Sequence, residues 1–202
     1  MNVRLNRFLR LPCTAVLLTC LIGCGSRDNW MPMKVGKQWN YQVRAGFDRR
    51  IEPITVRRQI TVASADGYEL AGPLGLSRVA WKHGSLVAES TVNARFFPPI
   101  PLLVPGVELT KEIPKQVAVW HGRVVVLGKE NPASATLTER NDKVDLGTRK
   151  VNAILATLTL KMPRGKIQLD SWYQEGVGLI QQEQRTGGIR IVQLQLLDKS
   201  ND

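Results

Sequence analysis

Apolar residues recur at every second position along most of the chain, the period of a strand with one dry and one wet face, not the 3.6 of a helix. In QWNYQVR, Trp39, Tyr41 and Val43 fall on one face and Asn40, Gln42 and Arg44 on the other. In ITVRRQITV, Ile54, Val56, Ile60 and Val62 share a face that only Arg58 interrupts, opposite Thr55, Arg57, Gln59 and Thr61. NAILATLTLK sets Ile154, Ala156, Leu158 and Leu160 against Thr157, Thr159 and Lys161. Strands with one solvated face belong to antiparallel sheets. The last run, IRIVQLQLL, slips phase between Ile191 and Val192, which predicts a β-bulge there. Glycine-containing pairs flanked by alternating residues predict hairpin turns at Asp66-Gly67, His83-Gly84, His121-Gly122 and Gly187-Gly188. Beyond the N-terminal segment no capped stretch of helical period exceeds about two turns, and the one stretch with room for a short helix is Asn131 to Thr138. The expectation is a mainly β domain of roughly ten antiparallel strands. A half-open barrel, a closed barrel and a sandwich all fit this pattern.

One segment breaks the alternation. RFFPPIPLLVPG, residues 95–106, carries four prolines among large apolar residues, so it is not expected as a central strand. It reads as a loop or edge segment laid over one end of the core, or as a lip for a ligand or partner. In the second case Phe96, Phe97, Ile100, Leu102 and Leu103 are its contact residues.

The N-terminus changes the picture from fold to location. Arg4, Arg7 and Arg10 precede an apolar run from Leu11 to Gly23 with no acidic residue among them. A bilayer-crossing helix needs about 20 apolar residues, so this run is too short, and it has the form of a secretory signal peptide. Its end, LIGC, resembles the lipobox of bacterial lipoproteins. The resemblance implies cleavage between Gly23 and Cys24, a diacylglycerol thioether on the Cys24 sulfur, and acylation of the new amine. Three acyl chains on one residue exceed the two signals that stable anchoring requires. Gly25, not Asp, after the cysteine implies, under that family's sorting rule, the periplasmic face of the outer membrane if the host is Gram-negative. The expected organisation is a signal peptide over 1–23, a lipidated cysteine and short tether over 24–29, and a single antiparallel β domain over 30–202.

Composition then removes whole classes of chemistry. Cys13 and Cys20 lie in the signal segment, so the mature chain keeps only Cys24, and no disulfide or thiolate site is expected. Loss of three signal arginines leaves 25 basic residues of the original 28 against 17 acidic ones, a net +8. An exported chain is not expected to meet nucleic acid; an anionic lipid headgroup, lipopolysaccharide or an acidic protein partner fits the charge. His83 and His121 are expected at turn tips without metal-ligand spacing, and no phosphate-loop or nucleophile-elbow motif occurs. The neighbouring carboxylates Asp142 with Asp145, and Asp170 with Glu175, read as solvated loop charges. No catalytic residue, metal or cofactor is therefore expected. Trp39, Tyr41, Trp81, Trp120, Trp172 and Tyr173 read as core, or as the wall of an apolar pocket.

Two stretches carry a further resemblance. WMPMKVGKQWNYQV, through Pro32, Gly36, Trp39 and Tyr41, and DSWYQEGVGLIQQEQ, through Trp172, Tyr173, Gly176, Val177 and Gly178, are similar to motifs of uncharacterised bacterial exported proteins and lipoproteins. The resemblance implies an antiparallel, half-open barrel-like sheet with Trp172 and Tyr173 packed at its edge. Such a sheet is like the concave sheets of periplasmic lipoprotein carriers, although no long helix is evident here to plug it. The leading reading is an envelope lipoprotein whose non-catalytic domain binds a protein partner or apolar ligand. A lipid or lipoprotein carrier is the alternative, and an envelope enzyme the third class.

Overall fold

The computed structural model describes residues 27–197. The expected signal segment, cleavage site at Gly23 and lipidation site at Cys24 lie outside those residues. A 3₁₀ turn, Arg27–Trp30, leads into β1 (Gln38–Ala45), β2 (Asp48–Val62), β3 (Ala65–Gly72), β4 (Gly75–Lys82), β5 (Ser85–Thr91) and β6 (Ala94–Leu103). After a loop follow β7 (Lys115–Val126), β8 (Lys129–Asp145), β9 (Lys150–Met162), β10 (Gly165–Gln174), β11 (Gly178–Thr186) and β12 (Ile189–Leu196). Each strand pairs antiparallel with its sequence neighbours, and β1 closes on β12 from Tyr41↔Leu196 to Ala45↔Val192. The antiparallel barrel is therefore closed, with two strands more than the sequence pattern resolves. Asn131 to Thr138, the candidate helix, lies wholly within β8.

The turns show why the strand count differs. His83-Gly84 and Gly187-Gly188 are two-residue turns with both φ values positive, as expected. The β2–β3 turn is instead Ala63-Ser64 (φ 52° and 64°), and the β7–β8 turn is Leu127-Gly128 (49° and 75°). Asp66-Gly67 and His121-Gly122 lie inside β3 and β7. Their glycines serve close approach. A Cβ on Gly67 would stand 2.6 Å from the Val79 carbonyl oxygen and 2.7 Å from the Val62 side chain, and one on Gly122 would run into the Phe97 carbonyl oxygen and the Trp120 ring.

The proline-rich segment is a barrel strand, not a loop. β6 pairs with β7 only from Ala94↔Val126 to Phe97↔Arg123, so Pro98, Pro99 and Pro101 lie beyond that ladder and their missing N–H groups break no bond to β7. On the other side the β5–β6 register shifts twice, which accommodates them. The Trp120 indole N–H donates to the Pro98 carbonyl at 3.0 Å, satisfying an oxygen that the shortened ladder leaves free.

Burial follows the alternation. Trp39, Tyr41 and Val43 enter the main core with Ile154, Ala156, Leu158 and Leu160. The odd face of β9 is also covered: Val151 and Ala153 join Val144, Leu146 and Ile180 in a smaller cluster with Trp172 and Val177. The interruption at Arg58 is resolved by a bulge. The β2–β3 register steps from Val56↔Leu70 to Arg58↔Glu69 and leaves Arg57 unpaired. Arg57 and Arg58 then both stand in solvent, over Glu69, where the phase alone places Arg58 on the apolar face. The bulge expected at Ile191 is present, because Gln184 faces Val192 while Arg185 faces Arg190.

Candidate functional site

A barrel of about eight strands is just wide enough to be filled by its own side chains, and the width grows with strand number. Twelve strands exceed that limit. The interior holds a cavity of about 530 Å³, within the roughly 300–1,000 Å³ of small-molecule sites. Its walls are mostly apolar: Leu70, Val79, Phe96, Leu158, Leu169 and Leu194 face it from six different strands. Ser77, Gln182 and Gln184 supply sparse polar groups, Gln182 donating to the Ser171 hydroxyl at 3.0 Å.

In an up-and-down barrel alternate turns share an end. The β3–β4 and β5–β6 turns, Gly72 to Gly75 and Thr91 to Ala94, line the cavity and form its lip. Met31 lines its floor from the opposite end. That end is closed by the N-terminal segment and by the loop between β6 and β7. Gly176 N–H donates to the Asn29 carbonyl at 2.9 Å. The Trp81 indole donates to the Met31 carbonyl at 3.4 Å, and the Asn141 amide to the Leu109 carbonyl at 2.7 Å.

The two sequence motifs meet at this floor. The Trp39 indole donates to the Val177 carbonyl at 2.7 Å and the Tyr41 hydroxyl to the Leu179 carbonyl at 2.6 Å. Gly178 has φ 111°, and a Cβ there would stand 3.2 Å from Met31 Sδ and 3.4 Å from Trp39 Nε1. The glycine thus admits the N-terminal segment against β11. Burial raises the pKa of the Tyr41 and Tyr173 phenols well above the ordinary value. Nearby on β8, Glu139 is 1% exposed; its Oε1 accepts the Val104 N–H at 2.6 Å and its Oε2 has no protein partner. Burial pushes its carboxyl up to about 7.

The residues expected to form a contact surface separate. Phe96, Ile100, Leu102 and Tyr173 line the cavity, Phe96 also packing edge-to-face on Trp120 with centroids 6.3 Å apart. Leu103 is fully buried in the core. Phe97 turns outward beneath the Arg95 guanidinium. Trp172 belongs to the smaller cluster and donates to Asp142 Oδ2 at 2.9 Å. Tyr173 thus faces the interior and Trp172 the opposite face of β10, and the closed barrel leaves neither a sheet edge to pack at. The cavity residues that sequence reasoning missed, Leu70, Leu169 and Leu194 among them, carry only the ordinary signal of an inward strand face.

The paired carboxylates do not converge on a reaction centre. Asp170 is buried and accepts from Thr157, Gln168 and Arg185, while Asp145 accepts from the Gly147 N–H of its own turn. His83 sits at a turn as expected, but His121 is an exposed strand residue. Among the described residues no three potential metal ligands cluster.

No family model and no curated protein matches the chain. Among solved structures the fold is similar to that of a predicted lipoprotein of Parabacteroides distasonis, with TM-score 0.49, 11% identity, and coverage of 83% of this chain and 96% of that one. A protein of Bacteroides fragilis, predicted to be exported and with a YmcC-like fold, gives 0.47 and 10% over 81% and 94%. The hypothetical lipoprotein YmcC of Escherichia coli gives 0.41 and 12% over 86% and 95%. With TM-scores this low, none of these likenesses bears on what this chain does.

Proposed function

We propose that the chain is a bacterial envelope lipoprotein, anchored through Cys24, whose barrel holds one chain-like apolar or amphipathic molecule and performs no chemistry on it. The observation that carries this reading is the cavity of about 530 Å³, open at the hairpin end and lined by aliphatic and aromatic side chains. A ligand is favoured over a protein partner as the occupant of the apolar candidates, because Phe96, Ile100, Leu102 and Tyr173 turn inward. The signal peptide, the lipobox and Gly25 support an envelope location, at the periplasmic face of the outer membrane in a Gram-negative host. A carrier role is the second reading, favoured by the open lip: a molecule held there can leave without the barrel unfolding.

The test is titration of the chain from Gly25 onward with a fluorescent long-chain fatty acid, with native mass spectrometry of what copurifies. Saturable binding at one site is expected. Ser77→Trp, which fills the cavity from β4, should weaken binding at least tenfold and leave the β circular dichroism intact. Full-strength binding by that variant would place the ligand elsewhere, and no binding of any single-chain amphiphile would overturn the reading.

A further inference from the structure

The six turns that join β1–β2, β3–β4, β5–β6, β7–β8, β9–β10 and β11–β12 all lie at the mouth of the cavity, because every strand pairs with its sequence neighbour. Three of these hairpins carry a large apolar side chain into solvent. Phe47 is fully exposed, Leu127 is 85% exposed and Ile189 is 72% exposed. A soluble turn has no folding reason to display such residues, and three share one rim.

Cations stand among them. Arg49 and Lys129 are exposed beside the Phe47 and Leu127 turns, Arg164 and Lys166 at the β9–β10 turn of the same rim, and none forms an ion pair among the described residues. The acids nearby are already engaged: Asp48 by Arg50 and Glu130 by Arg123. The rim therefore presents unpaired positive charge around separated apolar tips. A protein partner calls for a contiguous patch, whereas isolated tips ringed by cations match a layer of anionic headgroups above acyl chains.

We infer that the mouth of the barrel docks on an anionic lipid surface, the hairpin tips entering the headgroup layer and the lysines and arginines pairing with lipid phosphates. Docking in this way brings the cavity lip against the source of an apolar chain. The inference stands whether or not the cavity holds a ligand.

Cosedimentation of the chain from Gly25 onward, which contains the whole barrel, tests it with phosphatidylcholine vesicles with and without phosphatidylglycerol. Binding to the anionic vesicles at low salt is expected, falling steeply as sodium chloride rises. Two double variants, Phe47→Ser with Leu127→Ser and Lys129→Glu with Arg164→Glu, should each bind at least tenfold more weakly. All four side chains are exposed, so their loss leaves the barrel folded. Ile113→Ser, which removes an exposed apolar residue at the closed end, should bind as the parent does. Absence of binding at low salt, equal binding to neutral vesicles, undiminished binding of both rim variants, or an equal loss in Ile113→Ser would each overturn the inference. Fatty-acid titration of the same rim variants separates the two proposals: failed docking with retained probe binding leaves the cavity reading standing.

Discussion

Glu139 is a buried carboxyl with one hydrogen bond, to the Val104 N–H, and a second oxygen that has no protein partner. Burial favours the neutral acid, so the carboxyl rises from 4.5 to about 7. Between those values the folded chain binds a proton that the unfolded chain has released. Stability therefore falls as pH rises through that window and is level above it. At about 1.36 kcal/mol per unit, the loss between pH 5 and pH 8 is roughly 2 to 3 kcal/mol. Glu139→Gln keeps an acceptor for Val104 and cannot ionise, so urea unfolding at the two pH values should show that difference shrink to a fraction of itself, with the variant more stable at pH 8. An undiminished difference would show that another group carries the pH dependence. Glu69 is the contrasting case. The Arg58 guanidinium donates to both its oxygens and holds its carboxyl below the usual range.

Elements, unlike single residues, were legible wherever the inward face was apolar over several alternations. β1 and β9 follow the sequence pattern residue for residue, and the Ile191 bulge shows in the phase slip alone. Glycine misled the reading in two places, because a strand glycine required by a crowded neighbour looks the same in sequence as a turn glycine. The true turns there contain Ala63-Ser64 and Leu127, whose positive φ no local rule announces. The prolines of β6 misled it too, since their tolerance depends on where the β7 ladder stops, a fact of tertiary register. Gly122 provides the test at this scale. Gly122→Ala adds a methyl against the Phe97 carbonyl and the Trp120 ring, where backbone cannot yield cheaply. A loss of about 1–3 kcal/mol in chemical denaturation is expected, the range of overpacked sites. Were the Gly122→Ala variant within about half of 1 kcal/mol of the parent, the close approach would not be what selects glycine there.

At the scale of the whole molecule, the hollow interior follows from strand number, which no single stretch of sequence reveals. The aromatic and proline-rich residues were identifiable as apolar contacts, but which side of the sheet they serve was not. The same scale governs how the molecule would meet a membrane if it is anchored through Cys24 as proposed. Cys24 precedes Asn29 by five residues, which extended reach roughly 17 Å. Asn29 is fixed at the closed end through Gly176. The nine residues of β11 rise about 30 Å along the strand, or roughly 23 Å along the barrel axis at the usual tilt. A lipid on Cys24, as proposed above, would therefore hold the closed end near its bilayer and direct the mouth away from it, so a lipid surface met by the mouth would be a second one. The described residues contain no cysteine, so single labels can report this directly. In the lipidated protein in neutral vesicles bearing a headgroup quencher, a fluorophore on Ile113→Cys should be quenched strongly and one on Leu127→Cys weakly. In Cys24→Ala, intact mass should show no acyl chains, and both labels should lose their quenching together. Stronger quenching at Leu127 than at Ile113 would mean that the tether does not set the orientation, and that the mouth folds back onto the membrane that anchors it.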